Sequence, residues 1–101
     1  MKKILIVDGS AESCELLKRK LEETGRFHVW ICLGGVEAVQ QAKTLQPDLV
    51  LLDVLLPETS GLEIAGELLN YEETRNIPVL FMMAEPVQVD TLIHSIDHLA
   101  A

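Results

Sequence analysis

The sequence is poor in basic residues and contains no long apolar run. Eight Lys and Arg stand against sixteen Asp and Glu, which gives a formal net charge of −8. This balance argues against direct binding to nucleic acid or to an anionic membrane, because phosphate contacts need cationic side chains. The apolar residues after Lys3 stop at Asp8, too early for a signal peptide, and no stretch reaches the roughly 18 consecutive apolar residues of a membrane span. We therefore expect a cytoplasmic protein.

Cysteine is scarce as well, with Cys14 and Cys32 the only two. Two cysteines so far apart do not resemble a disulfide framework or a metal-binding knuckle, and each falls on an apolar stripe, so both are expected in the core. Of the 101 residues, 49% are hydrophobic. This length and composition predict a single domain over residues 1–101, with one core.

Short apolar stretches alternate with stretches of helical spacing along the whole chain. Strands are predicted over 3–7, 27–32, 48–53 and 78–83, and helices after Ser10, after Gly34-Gly35, after Ser60 and over 87–99. Strands that are apolar throughout, joined by helices, are typical of a parallel sheet covered on both faces. The predicted fold class is therefore α/β, a doubly wound parallel sheet in three layers. The helix residues predicted to face inward are Cys14, Leu16, Leu17 and Leu21; Val36, Val39 and Ala42 or Leu45; Leu62, Ala65 and Leu69; and Leu92, Ile96 and Leu99.

Two acids end predicted strands. Asp8 follows the first strand, and Asp53 interrupts the aliphatic stretch LVLLDVLLP at 49–57. In parallel sheets ligands bind beyond the carboxyl ends of the strands, so the two carboxylates are expected at one shared crevice. Such a pair suits Mg²⁺, and a carboxylate beside Mg²⁺ can accept a phosphoryl group. Taken singly, each residue also fits a plain strand end or turn, but the pair favours phosphoryl transfer.

Several motifs resemble those of one known family. They are KILIVD at 3–8, GVEA at 35–38, PDLVLLDVLLP at 47–57, SGLEI at 60–64 and IPVLFMMA at 77–84. On these motifs the chain resembles the receiver domain of two-component response regulators. The resemblance implies a flavodoxin-like (CheY-like) fold with strand order 2-1-3-4-5.

The same resemblance implies a phosphorelay function. Asp53 matches the phosphoacceptor, which takes phosphate from a histidine kinase or phosphotransfer protein, and Asp8 and Asp53 are the implied Mg²⁺ ligands. Pro57 and Gly61 match the loop that follows the acceptor. The implied output is a downstream domain or protein, contacted through the fourth helix, the last strand and the last helix. Such a chain is a signalling phosphoprotein rather than an enzyme.

The chain departs from the family pattern at three points. Gly9 stands where the family carries a second acid, which predicts weak Mg²⁺ binding. Met83 stands where the family has a Thr or Ser hydroxyl, and the family's fifth strand, which ends in Lys, and fifth helix have no counterpart before Ala101. These departures keep a second hypothesis open, a degenerate receiver that acts as a phosphorylation-independent protein-interaction module.

The missing last strand and helix predict incomplete cover of the sheet. The fourth strand would be an unpaired edge, and part of the first helix's apolar face would be exposed. We expect either that the chain is a fragment of a longer regulator, incomplete at the C-terminus, or that a partner or a second copy in a homodimer supplies the cover. The fragment is the favoured reading.

One other class of protein is suggested and then excluded. VDGS at 7–10 is similar to the nucleophile loop of haloacid-dehalogenase-like phosphatases, but the nucleophile position would be Ile6. Nucleotide binding is also disfavoured, because no Gly-rich phosphate loop follows any predicted strand.

Some polar residues remain as weaker candidates. His94 and His98 are one helical turn apart with Asp97 adjacent, a spacing that suits a metal, although a solvated helix face explains such a pattern more often. Glu12 and Glu85 are weak substitutes for the missing acid.

Overall fold

The computed structural model describes residues 1–82 and 89–99. In these residues strands and helices alternate, and none of the helices is long and apolar enough to cross a membrane. The sheet is parallel throughout, with strand order β2-β1-β3-β4, which confirms the predicted α/β fold class. The elements are β1 (Lys2–Val7), α1 (Ala11–Glu23), β2 (Phe27–Cys32), α2 (Ala38–Leu45), β3 (Leu49–Asp53), α3 (Gly61–Leu69), β4 (Val79–Met82) and α4 (Val89–Leu99).

The strands separate two cores, because successive side chains of a strand point to opposite faces of the sheet. In β1, Ile4 and Ile6 face one core, which we call the first core, and Leu5 and Val7 face the second. α1 and α4 cover the first core, and α2 and α3 cover the second. Burial on both faces explains why the central strands have unbroken apolar runs, Ile4–Val7 in β1 and Leu49–Leu52 in β3. Both cysteines are buried in these cores, as predicted.

The last helix lies beside α1. Leu92 and Ile96 of α4 join Leu21 of α1 in the first core, and Asp97 forms an ion pair with Arg26, which precedes β2. The expectation that part of the apolar face of α1 would lose its cover is wrong for Leu17 and Leu21, which pack with α4, whereas Leu16 is exposed. β4 is the last strand of the described sheet, as expected, and pairs with β3.

The inward face of α3 differs from the predicted one. Ile64 and Leu68 are buried in the second core, whereas Leu62 and Leu69 are 63% and 66% exposed. Ala65 is half-buried at the border between the two sides. Apolar residues occur on most sides of this helix, so their spacing admits two faces, and packing against the sheet selects the face of Ile64.

Smaller differences lie at the margins of the other helices. α2 begins at Ala38 rather than after Gly34-Gly35, because glycine is a poor helix former. Outside α3, three residues that were predicted to face inward are exposed: Leu16, Val36 and Leu99. Each lies at the edge of an apolar stripe or outside the packed turns of its helix.

Candidate functional site

The carboxyl ends of β1 and β3 bring two aspartates side by side. In the parallel pairing of these strands, Val7 lies opposite Leu52. Asp8 and Asp53 are the next residues, so their backbones are neighbours at the usual strand spacing of about 4.8 Å. The register therefore places both residues at one edge of the sheet, as the sequence predicts.

Asp8 is held by the turn that starts α1. The residue is almost fully buried, and its N–H donates to the carbonyl of Cys32 over 3.1 Å. Its Oδ1 accepts a hydrogen bond of 3.0 Å from the backbone N–H of Ser10. Ser10 in turn caps α1, since its Oγ accepts from the N–H of Ser13. The helix predicted after Ser10 is confirmed, and its cap region also holds the carboxylate of Asp8.

Asp53 ends β3 and is only half-buried. Its Oδ1 accepts a hydrogen bond of 3.1 Å from the N–H of Leu55. The loop that follows is closed, since Leu55 and Ser60 form an antiparallel bridge and the N–H of Gly61 donates to the carbonyl of Val54 over 2.8 Å. A charged group in this partly open position keeps contact with water, which explains how an acid can end a strand of aliphatic residues.

Gly61 packs directly on the strand end that carries Asp53. A Cβ atom placed on Gly61 would overlap the carbonyl oxygen of Asp53 and lie 2.9 Å from the Cα of Val54. Both contacts are with backbone, so only glycine fits while the loop stays closed. Gly61 therefore positions the backbone of Asp53.

The ring of Pro57 fills the space beside Gly9. A Cβ atom placed on Gly9 would lie 2.8 Å from the Cδ and 2.9 Å from the Cγ of Pro57. The loop after β3 thus occupies the place into which a side chain at position 9 would extend. No local sequence signal predicts this packing, because the two residues are far apart along the chain.

The same loop reaches the segment that follows β2. A Cβ atom placed on Gly34 would lie 2.8 Å from Oε1 of Glu58, and one placed on Gly35 would contact Thr59. The segment 57–59 therefore contacts the chain that follows β1 and the chain that follows β2.

The thiol of Cys14 lies beneath the two acids. Its Sγ is 3.8 Å from the carbonyl oxygen of Asp8, and the residue is fully buried. Burial, followed by the negative charges of Asp8, Glu15 and Asp53, raises the pKa of Cys14 from 9.0 to about 12. The thiol therefore stays protonated and unreactive at neutral pH. The pKa of this thiol is higher in the folded chain than in the unfolded chain. The protonated thiol therefore stabilises the folded state below the unfolded-state pKa, and this stabilisation is lost as the pH rises toward 12.

This edge of the sheet carries two acidic side chains, those of Asp8 and Asp53. Across residues 1–82 and 89–99, no three His, Cys, Asp or Glu side chains converge on a common point. Glu12 is exposed on the first turn of α1 and does not join Asp8 and Asp53, so its suggested role as a substitute acid is not supported. Glu85 and Met83 lie outside the described residues. Two carboxylates still suit Mg²⁺, which binds oxygen and keeps several water ligands in proteins.

Parallel strands with paired acids at their carboxyl edge define a class of α/β domain that handles anionic ligands or divalent cations at that edge. The family model "Response regulator receiver domain" matches residues 4–99. The chain belongs to the response regulator receiver domain family of two-component systems. Members of this family are signalling domains rather than enzymes in the usual sense, and they generally bind Mg²⁺.

Curated relatives include two named regulators. The chain is 35% identical over 92 residues to the alkaline phosphatase synthesis transcriptional regulatory protein PhoP of Bacillus subtilis (strain 168). The matched residues cover 91% of this chain and 37% of that protein. It is also 35% identical over 89 residues to the polar-differentiation response regulator DivK of Brucella ovis. These residues cover 88% of this chain and 72% of that protein. The chain thus spans little more than a third of PhoP and 72% of DivK.

Solved structures agree with the fold. The signal receiver domain of a signal transduction histidine kinase from Syntrophus aciditrophicus is 30% identical, with a TM-score of 0.87 over 99% of this chain and 90% of that one. A putative response regulator from Chloroflexus aurantiacus has a TM-score of 0.88 over 98% of this chain and 97% of that one. Its identity of 22% makes the second likeness one of fold alone.

Proposed function

We propose that the chain receives a phosphoryl group on Asp53 from a histidine kinase or phosphotransfer protein. The observation that carries this proposal is the pairing of Val7 with Leu52, which sets Asp8 and Asp53 side by side at the carboxyl edge of the sheet. Asp53 is half-buried, so it is fixed by its strand and still open to a donor. Asp8, held by the N–H of Ser10, provides the second charge of a Mg²⁺ site.

The transfer needs little more than position and charge. A carboxylate oxygen of Asp53 forms a bond to phosphorus while the bond between phosphorus and the donor's histidine nitrogen breaks. The electron pair of that bond leaves with the imidazole, which takes up a proton, and Asp53 becomes an acyl phosphate. Mg²⁺, when bound, supplies positive charge against the repulsion between the two acids and the incoming phosphoryl group.

The signal would be the added charge. A phosphoryl group brings about −1.5 to −2 charges at neutral pH, enough to change which partner the surrounding surface favours. The proposed reader is a downstream output domain or protein. The chain itself is a receiver without catalytic turnover in this proposal.

The proposal is tested by incubating the chain with acetyl phosphate and Mg²⁺ and measuring its intact mass. We expect the mass of one phosphoryl group to be added to the unsubstituted chain and to be absent in Asp53→Asn. Asp90→Asn is the matched control, because it makes the same change at an exposed aspartate of α4. An adduct that survives in Asp53→Asn would show that another residue is the acceptor.

A second function, the degenerate receiver, is favoured by Gly9, which has no side chain that could be a third metal ligand. In this function the domain would serve as a protein-interaction module without phosphate. Absence of any adduct at high acetyl phosphate and Mg²⁺ concentrations would select this function over the first.

The missing acid at position 9 predicts the effect of restoring it. Gly9→Asp is expected to lower the free energy of unfolding by about 1–3 kcal/mol, because its Cβ meets the ring of Pro57 and the loop must shift. Mg²⁺ affinity should rise by about tenfold or more in this variant, because a third carboxylate joins Asp8 and Asp53.

The measurement is a Mg²⁺ titration followed by the fluorescence of Trp30, the only tryptophan in the chain. Pro57→Ala alone is the control and should bind Mg²⁺ like the unsubstituted chain. If Gly9→Asp gained no affinity, the missing acid at position 9 would not be the cause of weak Mg²⁺ binding.

A further inference from the structure

The exposed side of α4 carries two histidines one helical turn apart. The Nε2 atoms of His94 and His98 are 3.2 Å apart. The two ring planes are nearly perpendicular, at 83°, and their centroids are 4.6 Å apart. Both side chains are exposed on α4, whereas Asp8 follows β1 and Asp53 ends β3.

This separation matches the one that a shared metal ion requires. Two metal–nitrogen bonds of about 2.0–2.1 Å place the nitrogens about 3.4 Å apart at a tetrahedral angle and about 2.9 Å apart at a right angle. The observed distance of 3.2 Å lies between these values. We propose that His94 and His98 form a bidentate site for a divalent transition-metal ion of the Zn²⁺ or Ni²⁺ type.

The contact between the two rings prepares the site. Without metal, the Nε2–H of one ring donates a hydrogen bond to the Nε2 of the other. A metal ion takes the place of the shared proton, because it binds a lone pair on each nitrogen. The final torsion of a histidine side chain is broad, so small ring rotations aim both lone pairs at the ion. Since the rings are already together, little conformational entropy is lost on binding.

α4 also holds the histidines on a fixed framework. Leu92 and Ile96 are buried in the first core, which anchors the side of the helix away from the rings. Asp97, which the sequence suggested as a third donor, is engaged by Arg26. In the described part of the chain no third His, Cys, Asp or Glu completes a group with the pair. Water, or donors from a second copy of the chain, would fill the remaining coordination positions.

The two sites of the domain would select different ions. Imidazole nitrogen favours Zn²⁺, Ni²⁺ and Cu²⁺, whereas carboxylate oxygen favours Mg²⁺. The histidine pair is on α4, and the acids end β1 and β3. Excess Mg²⁺ should therefore leave binding at the histidine pair unchanged.

The test is a calorimetric titration of the whole chain with Ni²⁺ in excess Mg²⁺. We expect one Ni²⁺ ion to bind per chain. His94→Gln and His98→Gln should each lower the Ni²⁺ affinity by about tenfold or more, because a single remaining imidazole cannot chelate the ion. His28→Gln is the matched control, since His28 is the third histidine of the chain and is exposed on β2. Circular dichroism should confirm that the exposed positions tolerate the change.

Two outcomes support the site and two overturn it. One ion per chain, or one ion per two chains with a doubled mass in light scattering, follows from ligation by the pair, the second with another copy completing the coordination. Equal Ni²⁺ affinity in the unsubstituted chain and both α4 variants would overturn the proposal. So would an equal loss of affinity in His28→Gln. None of these outcomes depends on phosphorylation of Asp53.

Discussion

Gly61→Ala is expected to lower the free energy of unfolding by about 3 kcal/mol, the upper part of the usual range for overpacking. The added Cβ would overlap the carbonyl oxygen of Asp53 and lie 2.9 Å from the Cα of Val54. These are backbone atoms, which cannot turn aside as the end of a long side chain can. The loop between β3 and α3 must open instead, which weakens the hydrogen bond from the N–H of Gly61 to the carbonyl of Val54. The backbone of Asp53 would move with it.

The matched control is Gly66→Ala in the same helix. Among the described residues nothing lies within 4 Å of a Cβ placed at Gly66. Alanine is the better helix former by about 0.5–1 kcal/mol, so this variant should be more stable than the unsubstituted chain. Urea unfolding followed by Trp30 fluorescence measures both variants. Effects of the same sign and size would contradict the close approach at Gly61.

Ile64→Ala is expected to cost about 3 kcal/mol, within the range of about 2–5 kcal/mol for removing a large aliphatic side chain from a core. Ile64 is 3% exposed and belongs to the second core, beneath α3. Truncation leaves a cavity between α3 and the sheet, at the helix that follows the loop after Asp53. The measurement is again urea unfolding, with the slope of the transition checked for two-state behaviour.

Leu62→Ala is the control for this second experiment. Leu62 is 63% exposed on the same helix, so its truncation should change the free energy of unfolding by only about 0.5 kcal/mol. A larger cost for Leu62→Ala than for Ile64→Ala would mean that the helix face predicted from the sequence is correct and the observed one is not.

The strands could be predicted closely from the sequence. β2 spans Phe27–Cys32 as predicted, and each of the other strands differs by a residue at its first end. The predicted end of β4 at Met83 lies outside the described residues. Each strand is a short apolar run bounded by turn residues or by proline, and burial on both faces leaves little freedom in its pattern. The position of Asp8 and Asp53 followed from this, because parallel strands bring their carboxyl ends to one edge.

The helix faces were less predictable, and α3 shows why. Its sequence GLEIAGELL has apolar residues at most positions, so periodicity alone did not separate Leu62 from Ile64. In α1 the charged residues Glu15, Lys18 and Arg19 limit the choice of face, and the buried Cys14 was predicted correctly. A helix with few polar residues needs its tertiary neighbours to define its inner side.

The packing of the loop after β3 was beyond prediction from local sequence. Pro57 and Gly61 were identified only as parts of a loop motif, and their contacts with Gly9 and Asp53 join distant segments. The packing of α4 beside α1 was not predicted either. A resemblance suggests which elements exist, but the sheet face that a final helix covers depends on its own apolar stripe and on the space available.

The segment 57–59 joins the turn after β1 to the turn after β2 at the carboxyl edge of the sheet. It contacts Gly9 through Pro57, Gly34 through Glu58 and Gly35 through Thr59. A phosphoryl group on Asp53 that displaced this segment would remove its contacts with the turn after β1 and with the turn after β2 at the same time. The two turns would then loosen together, because both rest on the same three residues.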